Sequence, residues 1–155
     1  MVFKNVFNTQ LYNETFARFL GDNENTNKDE IFVDMKEPMG DEVTYLYMKN
    51  AHAVTDCKAF VTTTDERILI AVFNIYGKFH KCYIMNLGSL KNIEIKKVFG
   101  GMRIEFDGIS QYGEIQVSMY AANRQYGTDM TDQGEHLRLF TGRMKKIKDR
   151  IKDNR

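Results

Sequence analysis

The sequence predicts a mainly β fold with one helix at each end. Three observations support this prediction: an amphipathic segment near the start, a long middle stretch of alternating apolar and polar residues, and helical periodicity at the end. Of the 155 residues, 43% are hydrophobic and 28% are charged. That composition supplies the core of one domain and argues against a disordered or collagen-like chain.

The first predicted element is an amphipathic helix over residues 8–21. Its apolar side follows helical spacing: Tyr12, Phe16, Phe19 and Leu20. Asn8 or Thr9 is placed to cap this helix and Gly21 to end it. The phenylalanines of this region are one candidate for an exposed apolar binding surface: Phe3, Phe7, Phe16 and Phe19.

Residues 22–42 form a predicted acidic connector. Eight acidic side chains stand here against two lysines, and the chain's one proline, Pro38, lies among them. Within the connector, residues 30–35 have the pattern of a short extended segment. We therefore divide the chain into a helical and acidic extension, residues 1–40, and a main domain, residues 41–155.

From residue 43 onward the pattern predicts seven β-strands, because β-branched and aromatic residues recur with period two. The predicted strands span residues 43–48, 57–64, 67–76, 79–86, 91–98, 102–107 and 114–121. In the sixth, Ile104 and Phe106 alternate with Arg103 and Glu105, so the first pair is expected to be buried. The joints are short and contain turn-forming residues, which predicts an antiparallel meander.

The last predicted element is a helix over residues 133–152. Asp132 and Glu135 have the spacing of a capping box. An apolar seam recurs every three or four residues: Leu137, Phe140, Met144, Ile147 and Ile151. From residue 135 onward eight basic residues stand against three acidic ones, although the formal net charge of the chain is only +1. Positive charge is therefore concentrated in the last helix.

Seven antiparallel strands followed by one amphipathic helix is an element order that resembles the pleckstrin-homology-like superfold. The resemblance is local at residues 59–70, where Thr64, Asp65 and Arg67 supply a Thr-Asp-x-Arg turn between two apolar strands, as in bacterial PH/GRAM and YokE-like domains. The Gly100-Gly101 hairpin resembles the next strand pair of that family. Over residues 40–152 the resemblance implies a seven-stranded, partly open barrel capped by the C-terminal helix. It also implies a binding or assembly module rather than an enzyme.

The chain carries none of the common catalytic or nucleotide-binding motifs, and we predict no enzymatic activity and no cofactor. His80 and Cys82 lie two apart on one predicted strand face, but no third residue stands at metal-ligand spacing, so no metal site is predicted. Cys57 and Cys82 are expected to be reduced thiols packed as small hydrophobes. The longest apolar run, residues 68–73, is too short to span a bilayer, and we expect a cytoplasmic protein.

Residues 111–130 are the predicted protein-binding segment. Their aromatic and hydrogen-bonding side chains lie on the longest connection after the strands: Tyr112, Tyr120, Asn123, Arg124 and Tyr126. Rigid amphipathic side chains of this kind bury contact area at low entropic cost. The plainer alternative is that Tyr120 packs within the fold and that Gly127 ends a turn.

A second set of residues is predicted to contact an anionic surface, either lipid or nucleic acid. It combines a rim beside the glycine turn with the basic face of the last helix: Lys96, Lys97, Arg103, Arg143, Lys145, Lys146 and Lys148. The alternative is that both groups are solvated, with the helix lying beside the acidic connector.

The sequence therefore predicts a non-enzymatic module of a bacterium or bacteriophage that binds another protein, such as a host protein, or assembles with itself. The alternative is peripheral attachment to an anionic membrane or nucleic acid through the basic C-terminal helix. A small-ligand binder, or an enzyme without recognisable motifs, is the third hypothesis.

Overall fold

A computed structural model describes residues 7–26, 31–35, 45–48, 57–74, 76–124, 129 and 132–153. Two helices and eight strands occur among these residues. The helices are α1 (Thr9–Ala17) and α2 (Gln133–Asp153). The strands are β1 (Ile31–Met35), β2 (Tyr45–Met48), β3 (Cys57–Thr63), β4 (Arg67–Asn74), β5 (Phe79–Asn86), β6 (Lys91–Val98), β7 (Gly101–Ser110) and β8 (Gly113–Ala122). A short 3-10 turn, Leu87–Ser89, precedes β6.

The prediction of a mainly β antiparallel fold with a helix at each end is confirmed, but the prediction of seven strands is wrong. Six strands of seven to ten residues, β3 to β8, form a curled antiparallel half-barrel. Two short strands of five and four residues, β1 and β2, add to it. Of the strand predicted at 43–48, residues 45–48 form β2, and residues 43 and 44 lie outside the described residues. The segment at 31–35 is a paired strand rather than part of a connector.

The sheet curls because its strands exchange partners at two corners. The strand order is β2-β8-β1-β3-β4-β5-β7-β6, and β7 also pairs with β8 along its whole length. At one corner β5 and β7 meet at a single residue pair, Met85 with Ser110. There the side chain of Gln111 substitutes for backbone pairing, since it donates to the Cys82 carbonyl at 2.7 Å and accepts from the Ile84 N–H at 2.9 Å.

The strand β1 joins the sheet between β8 and β3. It pairs along β3 from Ile31 opposite Val61 to Met35 opposite Cys57, and meets β8 where Asp34 lies opposite Tyr120. These residues precede position 40, where the chain was divided into an extension and a main domain. That division itself stays a prediction.

The inner face of the half-barrel is filled by α2. The predicted seam is confirmed, because Leu137, Phe140, Met144 and Ile147 are buried and Ile151 packs at the edge of the core. They meet inward-facing residues from β3 to β8, such as Ile70, Ile104 and Val117. The predicted register of β7 is also confirmed, because Ile104 and Phe106 are buried and their neighbours Arg103 and Glu105 are half-exposed.

The outer face of β3, β4 and β5 is covered by the N-terminal segment. Phe7, Tyr12 and Phe16 are buried against Phe60, Phe73 and other outward-facing residues: Leu69, Ala71 and Cys82. The Phe7 ring lies edge-on to Phe60 and Phe73, with centroids 5.9 and 5.7 Å apart. Asn8 caps α1 by accepting a hydrogen bond from the Leu11 N–H at 2.9 Å.

The proposal that this region exposes its phenylalanines is therefore wrong for Phe7 and Phe16. Phe19 is partly buried in the same cluster, and Phe3 lies outside the described residues. The physical reason is that β4 is apolar at every position from Ile68 to Phe73, so its outer face also needs a cover.

The Thr-Asp-x-Arg turn fastens this segment to the half-barrel. The Thr64 hydroxyl accepts from the Arg67 N–H at 3.1 Å and orders the turn, and the Arg67 side chain then reaches the N-terminal segment. Its guanidinium forms a two-point ion pair with Glu24 and donates to the Phe19 carbonyl at 3.0 Å. The Arg67 hydrogen bonds hold the pKa of Glu24 below its usual value. Arg67 thus acts here as a structural clamp.

Cys82 lies beneath α1 and is a free, buried thiol. Burial raises the pKa of this thiol to about 12, so it stays protonated at neutral pH. The Cys57 side chain lies outside the described residues. Within the described part of the chain, neither helix has the length and apolarity needed to cross a bilayer.

Candidate binding surface

The β6–β7 hairpin ends in a turn that is held rigidly. Gly100 has a φ of +75°, a conformation that side chains disfavour, and a Cβ on Gly101 would overlap the backbone of Ala121. The Tyr120 hydroxyl donates to the Phe99 carbonyl at 3.2 Å, and the Asn123 N–H donates to the Gly100 carbonyl at 2.9 Å. Both glycines therefore serve the geometry of the hairpin.

Phe99 projects from this turn into solvent. Its side chain is 101% exposed, and the neighbouring Val98 is 38% exposed. A fully exposed phenylalanine on a fixed turn keeps its ring in water without a compensating contact within the described fold. Burial of such a ring against a partner recovers on the order of 2 kcal/mol or more.

Basic and hydrogen-bonding residues lie on the strands that lead to and from the Phe99 turn. Lys96 lies opposite Arg103 across β6 and β7, and Arg103 lies opposite Tyr120 across β7 and β8, so these three form one row on the outer face. Lys97 is exposed because the sheet extends past the end of the core at that point. We call the following group the hairpin surface: Lys96, Lys97, Val98, Phe99, Arg103, Tyr120, Asn123 and Arg124.

The residues predicted to bind protein fall at two separate places. Tyr120, Asn123 and Arg124 belong to the hairpin surface, where the latter two are exposed. Tyr112 lies on the β7–β8 turn, where its ring packs edge-on to Tyr83 at 5.5 Å and receives the Lys81 ammonium at 4.6 Å. Tyr126 lies outside the described residues. The expectation of one joint surface on residues 111–130 thus divides into a hairpin part and a separate Tyr112 part.

The residues predicted to contact an anionic surface also form two groups. Lys96, Lys97 and Arg103 belong to the hairpin surface, whereas the others lie on α2: Arg143, Lys145, Lys146 and Lys148. The three lysines of the α2 group are exposed, and Arg143 is half-buried. Lys148 of the α2 group forms an ion pair with β6, since its Nζ lies 3.5 Å from the Glu94 carboxylate.

Phe99 is not among the residues that the sequence predicts for a binding surface. The signal was present: a large aromatic residue occupies a two-residue connection between strands, a position at which burial is rare. The sequence alone does not show where the core ends, so it does not show which part of the hairpin projects beyond it.

The expected pairing of His80 and Cys82 on one face is wrong. Val72 lies opposite Lys81 and Phe73 lies opposite Phe79, so His80 is an extra residue in a β-bulge. His80 is exposed, whereas Cys82 is buried under α1. Among the described residues no three His, Cys, Asp or Glu side chains lie close enough together to hold a metal ion.

A surface cleft of about 540 Å³ lies at the end of the half-barrel between the β3–β4 turn, the 3-10 turn and the C-terminal part of α2. Leu87, Ile147 and Ile151 supply apolar walls, and Asp65 and Arg150 supply opposite charges. Both charged groups are exposed to water.

The fold is similar to that of a solved human structure, "The hSac2 domain from human phosphoinositide phosphatase Sac2". The TM-score is 0.53 and the sequence identity is 12%, and the match covers 92% of this chain and 81% of that one. No family model matches the sequence, and no curated protein matches it. The likeness shows a curled antiparallel half-barrel with a C-terminal helix.

Proposed function

We propose that this chain is a non-enzymatic protein-binding module with a pleckstrin-homology-like fold, and that it contacts its partner through the hairpin surface. The observation that supports the proposal best is the fully exposed Phe99 on a turn fixed by glycine geometry and two hydrogen bonds. A rigid aromatic anchor loses little entropy when it enters a partner's pocket.

The surroundings of Phe99 favour a protein partner with an apolar pocket and an acidic rim. Lys96 and Arg124 carry positive charge on the segments next to the turn, and Arg103 pairs with Glu105 at 3.5 Å on the same outer face. Tyr120 and Asn123 contact the backbone of the turn itself. This mixture of a central aromatic residue with arginine and tyrosine is typical of interface centres. We assign the module to the cytoplasm of a bacterium or to a bacteriophage, with a bacterial host protein as the partner class.

Affinity capture from cells of the native host tests the proposal. Phe99→Ala should lose the captured partner, weakening a measured affinity by about thirtyfold, which corresponds to roughly 2 kcal/mol. Tyr76→Ala is the matched control, because Tyr76 is 81% exposed on the β4–β5 turn and should be dispensable. Both variants should melt like the wild type. Equal capture by the Phe99 variant and the wild type would contradict the proposal.

One observation favours a second candidate, attachment to an anionic surface through α2. Lys145, Lys146 and Lys148 are all exposed on a helix whose opposite side fills the core. Cosedimentation with anionic vesicles, and retention on an oligonucleotide column, at low salt would test it. Binding by the wild type and release by a triple lysine-to-glutamate variant would place this function ahead of protein binding.

A further inference from the structure

The strand β6 is the last strand in the sheet order, and within the described part of the chain β7 is its one strand partner. The helix α2 packs on the core-facing side of β6, where Ile93 is buried and Ile95 is half-buried. An edge strand directs alternate N–H and C=O groups outward and accepts another strand unless something blocks it.

The pairing length of this edge is limited at one end. Asn92 has a φ of +55°, and the register with β7 is irregular between Lys91 and Glu94. The Asn92 side chain donates to Asp107 at 2.7 Å, which fixes this irregular start. The regular part of the edge therefore runs from Glu94 to Val98.

Charged side chains often protect a sheet edge from pairing with another strand, but the charges of β6 are complementary to those of a second, antiparallel copy of β6. In an antiparallel pair of two β6 strands centred on Ile95, Glu94 of each copy lies opposite Lys96 of the other, on the outer face. On the inner face Ile95 meets its own copy. A register centred on Glu94 places two glutamates opposite each other, and one centred on Lys96 places two lysines opposite each other, so the Ile95 register is favoured.

We propose that a second copy of this chain pairs with the β6 edge, forming a two-fold dimer with a continuous sheet centred on Ile95. The inference rests on the proposed function as a protein-binding module, but its contact is the β6 edge centred on Ile95, which shares Lys96 with the hairpin surface and does not include Phe99. Two Glu94–Lys96 pairs fix the register, and the half-buried Ile95 side chains cover each other. The Lys148 contact with Glu94 is replaced by Lys96 of the second copy.

The test uses two charge reversals, Glu94→Lys and Lys96→Glu, in the full chain. Each alone places like charges opposite each other at both pairs, so each should weaken self-association about tenfold or more. A mixture of the two variants restores opposite charges at both pairs and should associate although neither does so alone. Light scattering after size exclusion, over a wide range of concentrations, should give twice the 18.1 kDa chain mass for the wild type and the mixture.

Lys97→Glu is the matched control, because it makes the same charge change on the opposite face of the strand, where Ile93 is its cross-dimer neighbour. It should dimerise like the wild type. A monomeric wild type at every concentration overturns the dimer, and a dimer that persists in both single reversals overturns this register. Partner capture that depends on Phe99, by a wild type that is monomeric at every concentration, would show that the proposed function holds while the dimer fails.

Discussion

The two halves of the sheet differ in how many faces they bury. In β4 the adjacent residues Leu69 and Ile70 are both fully buried, one under α1 and the other in the core around α2. In β7 Ile104 is buried, but its neighbours face outward: Arg103, which belongs to the hairpin surface, and Glu105. The half formed by β3, β4 and β5 is therefore closed by the chain itself. Among the described residues, the half formed by β6, β7 and β8 has a partly exposed outer face.

The largest expected effect on stability comes from a change in the core, which both halves of the sheet share. Ile104→Lys should prevent folding, because it places an unpaired charge at a fully buried position, a cost above about 4 kcal/mol. Loss of the cooperative transition in thermal circular dichroism checks it. Glu105→Gln, one residue away on the outer face, should melt within about 0.5 kcal/mol of the wild type. A normal transition for the Ile104 variant would contradict the register.

The two halves are compared directly by removing one phenylalanine from each. Phe16→Ala should destabilise the chain by about 3–5 kcal/mol, because the ring is buried between α1 and the outer face of the sheet. Phe99→Ala should change the free energy of unfolding by less than about 0.5 kcal/mol, because the ring is fully exposed. Urea unfolding of both variants measures the difference. Similar losses for both would mean that the hairpin surface is part of the folded core.

The clamp between Glu24 and Arg67 should contribute less to the free energy of unfolding than the buried phenylalanine. Glu24→Gln keeps the shape of the side chain but removes its charge, and we expect the free energy of unfolding to fall by about 1–2 kcal/mol at pH 7. Release of α1 can be measured as the rate of thiol labelling at Cys82, in a Cys57→Ser background that leaves one cysteine. While α1 covers it, Cys82 is buried and its pKa is about 12, so labelling is slow. Faster labelling in the Glu24 variant than in its parent is the expected result, and equal rates would contradict the clamp.

The same clamp predicts a pH dependence. The pKa of Glu24 is lowered in the folded state, so its contribution is fully present above the usual value of 4.5 and is lost as pH falls through the folded-state pKa. Unfolding free energies measured below pH 4.5 should therefore fall more steeply in the wild type than in Glu24→Gln. Parallel curves for the two proteins would show that Arg67 does not stabilise the carboxylate.

The smallest expected effect is on the outer face of α2. Replacing Lys145, Lys146 and Lys148 by glutamate should leave the melting temperature nearly unchanged, since the buried seam on the other side carries the packing. Loss of one exposed ion pair, between Lys148 and Glu94, costs at most about 1 kcal/mol. A large fall in melting temperature would show that the lysines support the fold.

The contrast between the halves also explains how far sequence reasoning reached. Strand β7 was predicted in its correct register because burial on one face leaves strict alternation, with Ile104 and Phe106 on one side. The apolar run from Ile68 to Phe73 predicts a strand that is buried on both faces, but it does not indicate which segment covers the second face. The contact of Phe7 and Phe16 with that face is a tertiary property. Strand β1 was missed as a sheet member because its pairing with β3 is non-local.

The candidate surface was predicted only in part, because its residues come together through non-local strand pairing. Lys96, Arg103 and Tyr120 were chosen from separate segments, and only strand pairing shows that they form one row. Tyr112 was grouped with Tyr120 by position in the chain, although the two lie on different turns. Phe99 was overlooked because its exposure depends on where the core ends.

We propose above all that a partner protein binds the half of the sheet formed by β6, β7 and β8, at Phe99. A photoreactive phenylalanine analogue placed at position 99, and separately at position 76, measures this directly in cells of the native host. We expect a discrete crosslinked protein from position 99 and none from position 76, which also carries an exposed aromatic residue. Adducts from position 76 alone, or the same adducts from both positions, would contradict it.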